Sequence, residues 1–245
     1  MNRKSVSENE QFGYQQLSIE RQRLEAIGKT MYDRRTDLQI RCLQNTVRKE
    51  YASGSILHRG FYCPSPVYDI INGNAKRGKL LKKPFIKSKP SYEYGFDADG
   101  YLLYCKRFDN TVVSTEYLDY GPDTVHGILL DDEGFISAIA EETYDQGRLM
   151  RFLQCSCMPT DDGFYCHQAY CEEYEYDEEG LCCCKTQSLL FPLPDTSILP
   201  KSIFPQSTQW PVYCSDEFLF QRADGYLSGY TCGQQTYRIS VHRKA

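Results

Sequence analysis

Six times between Tyr92 and Tyr226 the chain repeats one short phrase: an apolar approach, a turn opening on aspartate and closing on glycine, then the start of a new segment. The copies are Phe96-Asp97-Ala98-Asp99-Gly100-Tyr101, Leu130-Asp131-Asp132-Glu133-Gly134-Phe135, Tyr144-Asp145-Gln146-Gly147, Asp161-Asp162-Gly163-Phe164, Tyr176-Asp177-Glu178-Glu179-Gly180-Leu181 and Ala223-Asp224-Gly225-Tyr226. Aspartate opens such a turn by bonding its own backbone. Glycine takes the positive φ that a type I turn with a following bulge requires. Strands joined by turns this tight must pair antiparallel, so the phrase predicts a β-meander.

The residues between the turns agree. Leu102 and Tyr104, then Val113, Thr115 and Tyr117, then Ile136, Ala138 and Ala140, then Leu149, Arg151, Leu153, Cys155 and Cys157 alternate with a period of two. The 20 Tyr and 12 Phe of the 245 residues are the surplus expected of strands. Pro192, Pro194, Pro200, Pro205 and Pro211 interrupt the pattern at 192–211, because proline donates nothing to a ladder. Strands resume at Val212 to Phe220, turn at Asp224-Gly225 and finish near Val241.

The formal net charge of −5 conceals two halves. Residues 1–90 carry 18 Lys and Arg against 8 Asp and Glu, whereas residues 91–245 carry 10 against 25. The basic half begins with helical spacing: Leu17, Leu24, Ile27 and Met31 share one face, as do Ile40, Leu43, Val47 and Tyr51. These predict amphipathic helices over 14–28 and 36–52, the second opened by a Thr36/Gln39 capping box and closed at Ser53-Gly54. The periodicity then fails from Ser55 to Pro90, where Lys76 to Lys89 holds seven basic residues and no acidic one. The expected organisation is a helical segment (1–54), a basic linker (55–91) and an antiparallel β domain (92–245). The fold class is mainly β (α+β), a twisted meander sheet with an N-terminal helical pair.

Tyr144-Asp145-Gln146-Gly147-Arg148-Leu149 and Tyr176-Asp177-Glu178-Glu179-Gly180-Leu181 resemble the tyrosine-aspartate-x-x-glycine-x-leucine unit of YD repeats, the β-hairpin repeats of Rhs-type polymorphic toxins. The strand style of residues 92–190 is also similar to that of small cytosolic β-rich immunity proteins encoded beside bacterial toxins. The units here are few and unevenly spaced, so the long arrays that enclose a toxin are not implied. The resemblance implies hairpin style and, beyond it, a toxin–immunity setting.

No stretch reaches the eighteen or so apolar residues of a membrane span, and Met1 to Glu10 has no apolar segment behind it. A cytoplasmic protein is expected, its 12 cysteines mostly buried thiols rather than a disulfide framework. Cys155, Cys157, Cys182 and Cys184 are the weak metal candidates. Each pair shares a strand face, and facing strands would bring four thiolates to a tetrahedral zinc, although no Cys-x-x-Cys is present. Asp97-Ala98-Asp99-Gly100 lacks the distant ligands of a calcium loop. A nucleophilic set of Cys166, His167 and Glu172 is opposed by strand geometry, and no phosphate loop, nucleophile elbow or His-Glu-x-x-His occurs.

The acidic block Glu172, Glu173, Glu175, Asp177, Glu178 and Glu179, around the exposed-looking Tyr174 and Tyr176, has two readings. One is an edge strand whose charge discourages sheet-to-sheet association. The other is a docking surface for a basic protein, with Glu172, Glu173, Tyr174, Glu175, Tyr176 and Glu178 as partner-binding residues. A nuclease toxin is basic because it binds phosphates, so an immunity protein that occludes one is expected to be acidic. The leading expectation is therefore a non-enzymatic protein-binding protein. A zinc-stabilised or hydrolytic enzyme built on Cys155–Cys184, and nucleic-acid contact through residues 76–89, are the alternatives.

Overall fold

In the computed structural model, which describes residues 8–55, 57–71, 76–82, 91–109, 111–161, 163–191 and 211–239, the acidic turns close as their residues dictate. Asp97 Oδ1 accepts the N–H groups of Asp99 at 3.0 Å and Tyr101 at 2.8 Å, and Gly100 takes φ 90°. Asp131 Oδ1 treats Glu133 and Phe135 the same way, at 3.1 and 2.8 Å, with Gly134 at φ 87°. Gln146-Gly147 and Asp224-Gly225 turn more tightly. Both residues of each pair have positive φ, the two-residue type I′ geometry whose twist matches that of the flanking strands.

The strands are β1 (Arg48–Ser53), β2 (Lys79–Leu80), β3 (Tyr92–Phe96), β4 (Leu102–Asp109), β5 (Thr111–Tyr120), β6 (Thr124–Asp131), β7 (Ile136–Asp145), β8 (Arg148–Thr160), β9 (Gly163–Asp177), β10 (Gly180–Leu190), β11 (Val212–Ala223), β12 (Tyr226–Cys232) and β13 (Gln235–Arg238). They form one antiparallel sheet in which every strand from β3 to β13 pairs with the next, while β1 lies between β3 and β2. The predicted meander is thus the architecture of the protein. The α-helices among the described residues are α1 (Glu8–Asp33), α2 (Arg35–Asn45) and the single turn α3 (Tyr68–Ile71), with a 3-10 turn at Gly60–Tyr62. Among the described residues no helix is long and apolar enough to cross a membrane.

Five of the turn hairpins carry a register shift beside the turn: β3–β4, β6–β7, β7–β8, β9–β10 and β11–β12. One inserted residue exchanges the two faces of a strand. The alternation read straight through Leu149 to Cys157 therefore breaks at its first step. Leu149 packs on one face of the sheet, and Leu153, Cys155 and Cys157 on the other. Ile136 and Ala140 are separated in the same way.

Helices α1 and α2 cover the face that carries Ile139, Leu153, Cys155 and Cys166. Leu17, Leu24 and Met31 of α1 are buried against it, as their spacing predicts. Leu24 is wholly inaccessible, so Leu24→Ala is expected to cost about 2–5 kcal/mol. Helix α2 is shorter and rotated relative to the prediction. It buries Leu38 and Cys42, while Ile40, Leu43 and Val47 are exposed. The Thr36 capping box does not open it, because α1 ends only two residues before α2 begins, and Arg34 at the joint makes no side-chain cap. At Thr46 the backbone turns extended. Val47 N–H then bonds Phe96 O at 2.9 Å and the chain continues as β1, so a β-ladder claims residues whose apolar spacing suited a helix.

Residues 57–71 of the segment expected to be a linker form a second layer. Leu57, Cys63, Val67 and Ile70 are buried, and Val67 and Ile70 pack with Ala140, Phe152, Tyr174 and Cys184 on the face away from α1. A covering loop buries residues without a period, which is why its sequence looked like a connector. Lys83 to Pro90 of the basic run, and the prolines at 192, 194, 200 and 205, lie outside the described residues.

Candidate functional site

The acidic block is not on an edge, because β9 lies inside the sheet between β8 and β10. Alternation divides it. Glu173 and Glu175 point to the helix side and are exposed, as is Glu178 in the following turn. Glu172 and Tyr174 point to the opposite face, where they are 0% and 2% exposed, so neither is available for docking. Their burial is satisfied from within: Tyr170 Oη donates to Glu172 Oε1 at 2.6 Å and Tyr174 Oη to Glu172 Oε2. Burial pushes the Glu172 carboxyl above the usual carboxylate range. Tyr176 is half-buried, its hydroxyl donating to Leu149 O at 2.9 Å.

The four cysteines read as a zinc set do not converge. Cys155 and Cys157 lie beneath α1, whereas Cys184 packs beside Tyr174 on the other face and Cys182 sits in the β9–β10 bulge. Among the described residues no group of three or more His, Cys, Asp or Glu is arranged to hold a metal. The close contact is Cys157 Sγ to Cys166 Sγ, at 3.3 Å. Hydrogen bonds from the Cys155 and Cys157 thiols hold Cys166 below the ordinary thiol range. Cys166 and Glu172 face opposite sides of the sheet, so the set Cys166, His167 and Glu172 is not assembled. Arg77, in the described part of the basic run, is turned inward to Cys63 O at 2.7 Å and Asp69 Oδ1 at 3.2 Å.

The most constrained constellation is one that sequence patterns did not single out. Arg59 has a left-handed backbone, φ 53°, which is costly for a residue with a long side chain. The loop is held there by Tyr92 Oη donating to Leu57 O at 2.9 Å and Tyr94 Oη donating to Arg59 O at 3.0 Å. From this position the guanidinium plunges onto the sheet. Its Nε and Nη2 reach both Glu116 oxygens at 2.9 and 2.7 Å, and Nη1 reaches Glu142. The three side chains are 3%, 2% and 4% exposed. Gly127 makes the approach possible, since a Cβ there would overlap Glu116 and Arg59. Burial alone would raise the Glu116 carboxyl, but the charges of Arg59 and His58 outweigh it and hold it far below the usual range.

Beside this ion cluster, on the face away from α1, lies an open cleft of about 530 Å³. His58, Arg107, Gln154, Gln168 and Ser188 line it, with Tyr68 and Tyr170. His58 Nε2 is 3.2 Å from Glu116 Oε2, and Gln154 Nε2 is 3.4 Å from His58 Nδ1. The sequence signal for this site was thin: carboxylates in mid-strand at Glu116 and Glu142, and the Arg59-Gly60 step, one of two Arg-Gly steps in an aperiodic segment.

No protein-family model matches the chain, and no curated protein matches it.

Proposed function

We propose that the chain is a non-enzymatic binding protein that engages a basic protein through the exposed carboxylates of β9–β11, as an immunity protein engages its toxin. The observation that carries this reading is the helix-side surface beyond α1. Glu173, Lys185 and Glu217 are register partners across three strands, and Glu175, Cys183 and Leu219 form the next row. Lys185 is the one base in these two rows, 2.7 Å from Glu175 and 3.8 Å from Glu217, so two carboxylates share its ammonium, while Glu173 has a longer contact, 4.0 Å, to Arg151 of the neighbouring strand. Leu219 stands 52% exposed among them, and Phe12, 70% exposed, borders a groove that Glu217 and Lys185 also line. Acidic charge around exposed apolar anchors speeds encounter with a basic partner and then holds it. In this reading Leu219 and Phe12 take the anchoring part first given to Tyr174, and the carboxylates occlude the partner's phosphate-binding surface.

The test is calorimetric titration of the chain with each basic polypeptide that a neighbouring gene proves to encode, for the wild type and for Glu173→Lys/Glu175→Lys/Glu217→Lys. Loss of affinity by about 100-fold or more in the reversed protein, with unchanged melting, is expected. Equal affinity of the two proteins overturns the reading.

A further inference from the structure

We propose that the cleft on the face away from α1 is a second binding site, independent of the acidic surface, and that it takes a small hydroxyl-rich anion of the sugar-acid or sugar-phosphate class. Its side chains come from widely separated places: His58 from the covering loop, Arg107 from β4, Gln154 from β8, Gln168 from β9 and Ser188 from β10. The sheet face is apolar further along, where Phe152, Tyr174, Leu181 and Leu227 pack. The cleft instead sets these polar groups among the apolar walls of Leu57, Tyr92, Leu129 and Tyr170, which is the composition of a ligand site.

Charge accounting selects the ligand. The Glu116 carboxylate is consumed by Arg59 from two directions and approached by His58, and Glu142 is held by Arg59 and by the Tyr144 hydroxyl at 2.6 Å. Neither presents a free negative charge to the cleft. Arg107 does the reverse: it is exposed at the lining and, among the described residues, has no ion-pair partner. The unspent charge is therefore one guanidinium, a fork that suits carboxylate or phosphate oxygens. Around it the Gln154 and Gln168 amides and the Ser114, Ser156 and Ser188 hydroxyls offer both donors and acceptors, which suits ligand hydroxyls, and the Tyr68 and Tyr170 rings offer a wall to the carbons that carry them. A volume of about 530 Å³ is ample for a monosaccharide with its anionic group. The rigid ion cluster behind His58 fixes the wall of the site before any ligand arrives, so ordering costs little on binding.

The test uses the full chain and four probes at equal concentration: glucuronate, glucose 6-phosphate, neutral glucose and inorganic phosphate, read by calorimetry and by the shift in melting temperature. Glucuronate or glucose 6-phosphate is expected to bind at least about tenfold more tightly than glucose and than inorganic phosphate, and the tighter of the two identifies the anion. Arg107→Gln is expected to abolish that advantage without moving the melting temperature of the free protein, because Arg107 is exposed and, among the described residues, has no ion-pair partner. Gln168→Leu is expected to weaken both sugar anions while sparing the charge preference. The proposal is overturned if neither sugar anion exceeds glucose, if inorganic phosphate binds as tightly as the sugar phosphate, or if the advantage of the sugar anions over glucose survives Arg107→Gln.

Discussion

Arg59 and Glu116 meet in a two-point ion pair, at 2.9 and 2.7 Å, with almost none of either side chain accessible to water. They are 57 residues apart, one on a loop with a left-handed backbone and the other in the middle of β5. Burying such a pair is costly, and the cost is offset only because Glu142 completes the coordination of the guanidinium.

Removing the cation should therefore be far worse than removing an ordinary surface arginine. Arg59→Met leaves Glu116 and Glu142 buried and uncompensated, and a loss of about 3–5 kcal/mol is expected from urea unfolding. A change below about 0.5 kcal/mol, the range of surface substitutions, would show that the cluster is not closed as described.

Gly127 is the matching position beneath the pair. Gly127→Ala introduces a methyl group into the space of the Glu116 carboxylate and the Arg59 guanidinium, at an expected cost of about 1–3 kcal/mol. Because the obstruction is the ion pair itself, the penalty should shrink when Gly127→Ala is made in an Arg59→Ala background. A double-mutant cycle measures the difference, and strict additivity would contradict the packing.

Acid should unfold the protein through carboxylates whose pKa values are depressed by folding. Burial would raise Glu141, but hydrogen bonds from Arg23 and His126 bring it down to about 2, and Glu116 is also depressed. A carboxyl with a lowered folded pKa contributes stability that is complete above its unfolded value near 4.3 and is lost as pH falls through the folded value. Urea midpoints should thus decline steadily from about pH 5 to pH 2, and Glu141→Gln should flatten the decline. Glu172 works in the opposite sense. Its raised pKa means that stability falls as pH rises from its unfolded value to its folded one. Midpoints that stay level between pH 5 and pH 2 in the wild type would refute the assignment.

Cys157 and Cys166 are register partners on β8 and β9. Facing residues of antiparallel strands have Cα atoms about 4.5–5.5 Å apart, within the span a disulfide accepts. Treatment with diamide, which takes one hydrogen from each thiol and is itself reduced to the hydrazine, should close this pair before any other intramolecular pair. Peptide mapping after acid quenching checks it. A first crosslink between other cysteines, or its persistence in Cys157→Ser, would be the contrary result.

Much of the sheet was legible beforehand because its instructions are local. Asp97 and Asp131 bond to backbone within four residues, and Gly100 and Gly134 supply the positive φ, so no distant group is needed to form the turn. Leu17, Leu24 and Met31 marked the buried face of α1 for the same reason, since one helix sets their spacing. The errors arose where a single residue changes the outcome. The bulge beside the β7–β8 turn reverses faces at Leu149, and alternation within β9 sends Glu172 and Tyr174 inward while Glu173 and Glu175 stay in solvent.

By itself the amino-acid sequence determined the hairpin turns, the antiparallel order that follows from them, the division of charge and the buried stripe of α1. Only the tertiary structure decided which carboxylates are spent and which are free. Whether Glu116 is a charge for a partner or a counter-ion for Arg59 depends on a loop returning across 57 residues to a strand not yet made. Contacts of that kind are set by the packing of whole layers, and neither residue carries a local pattern that announces them.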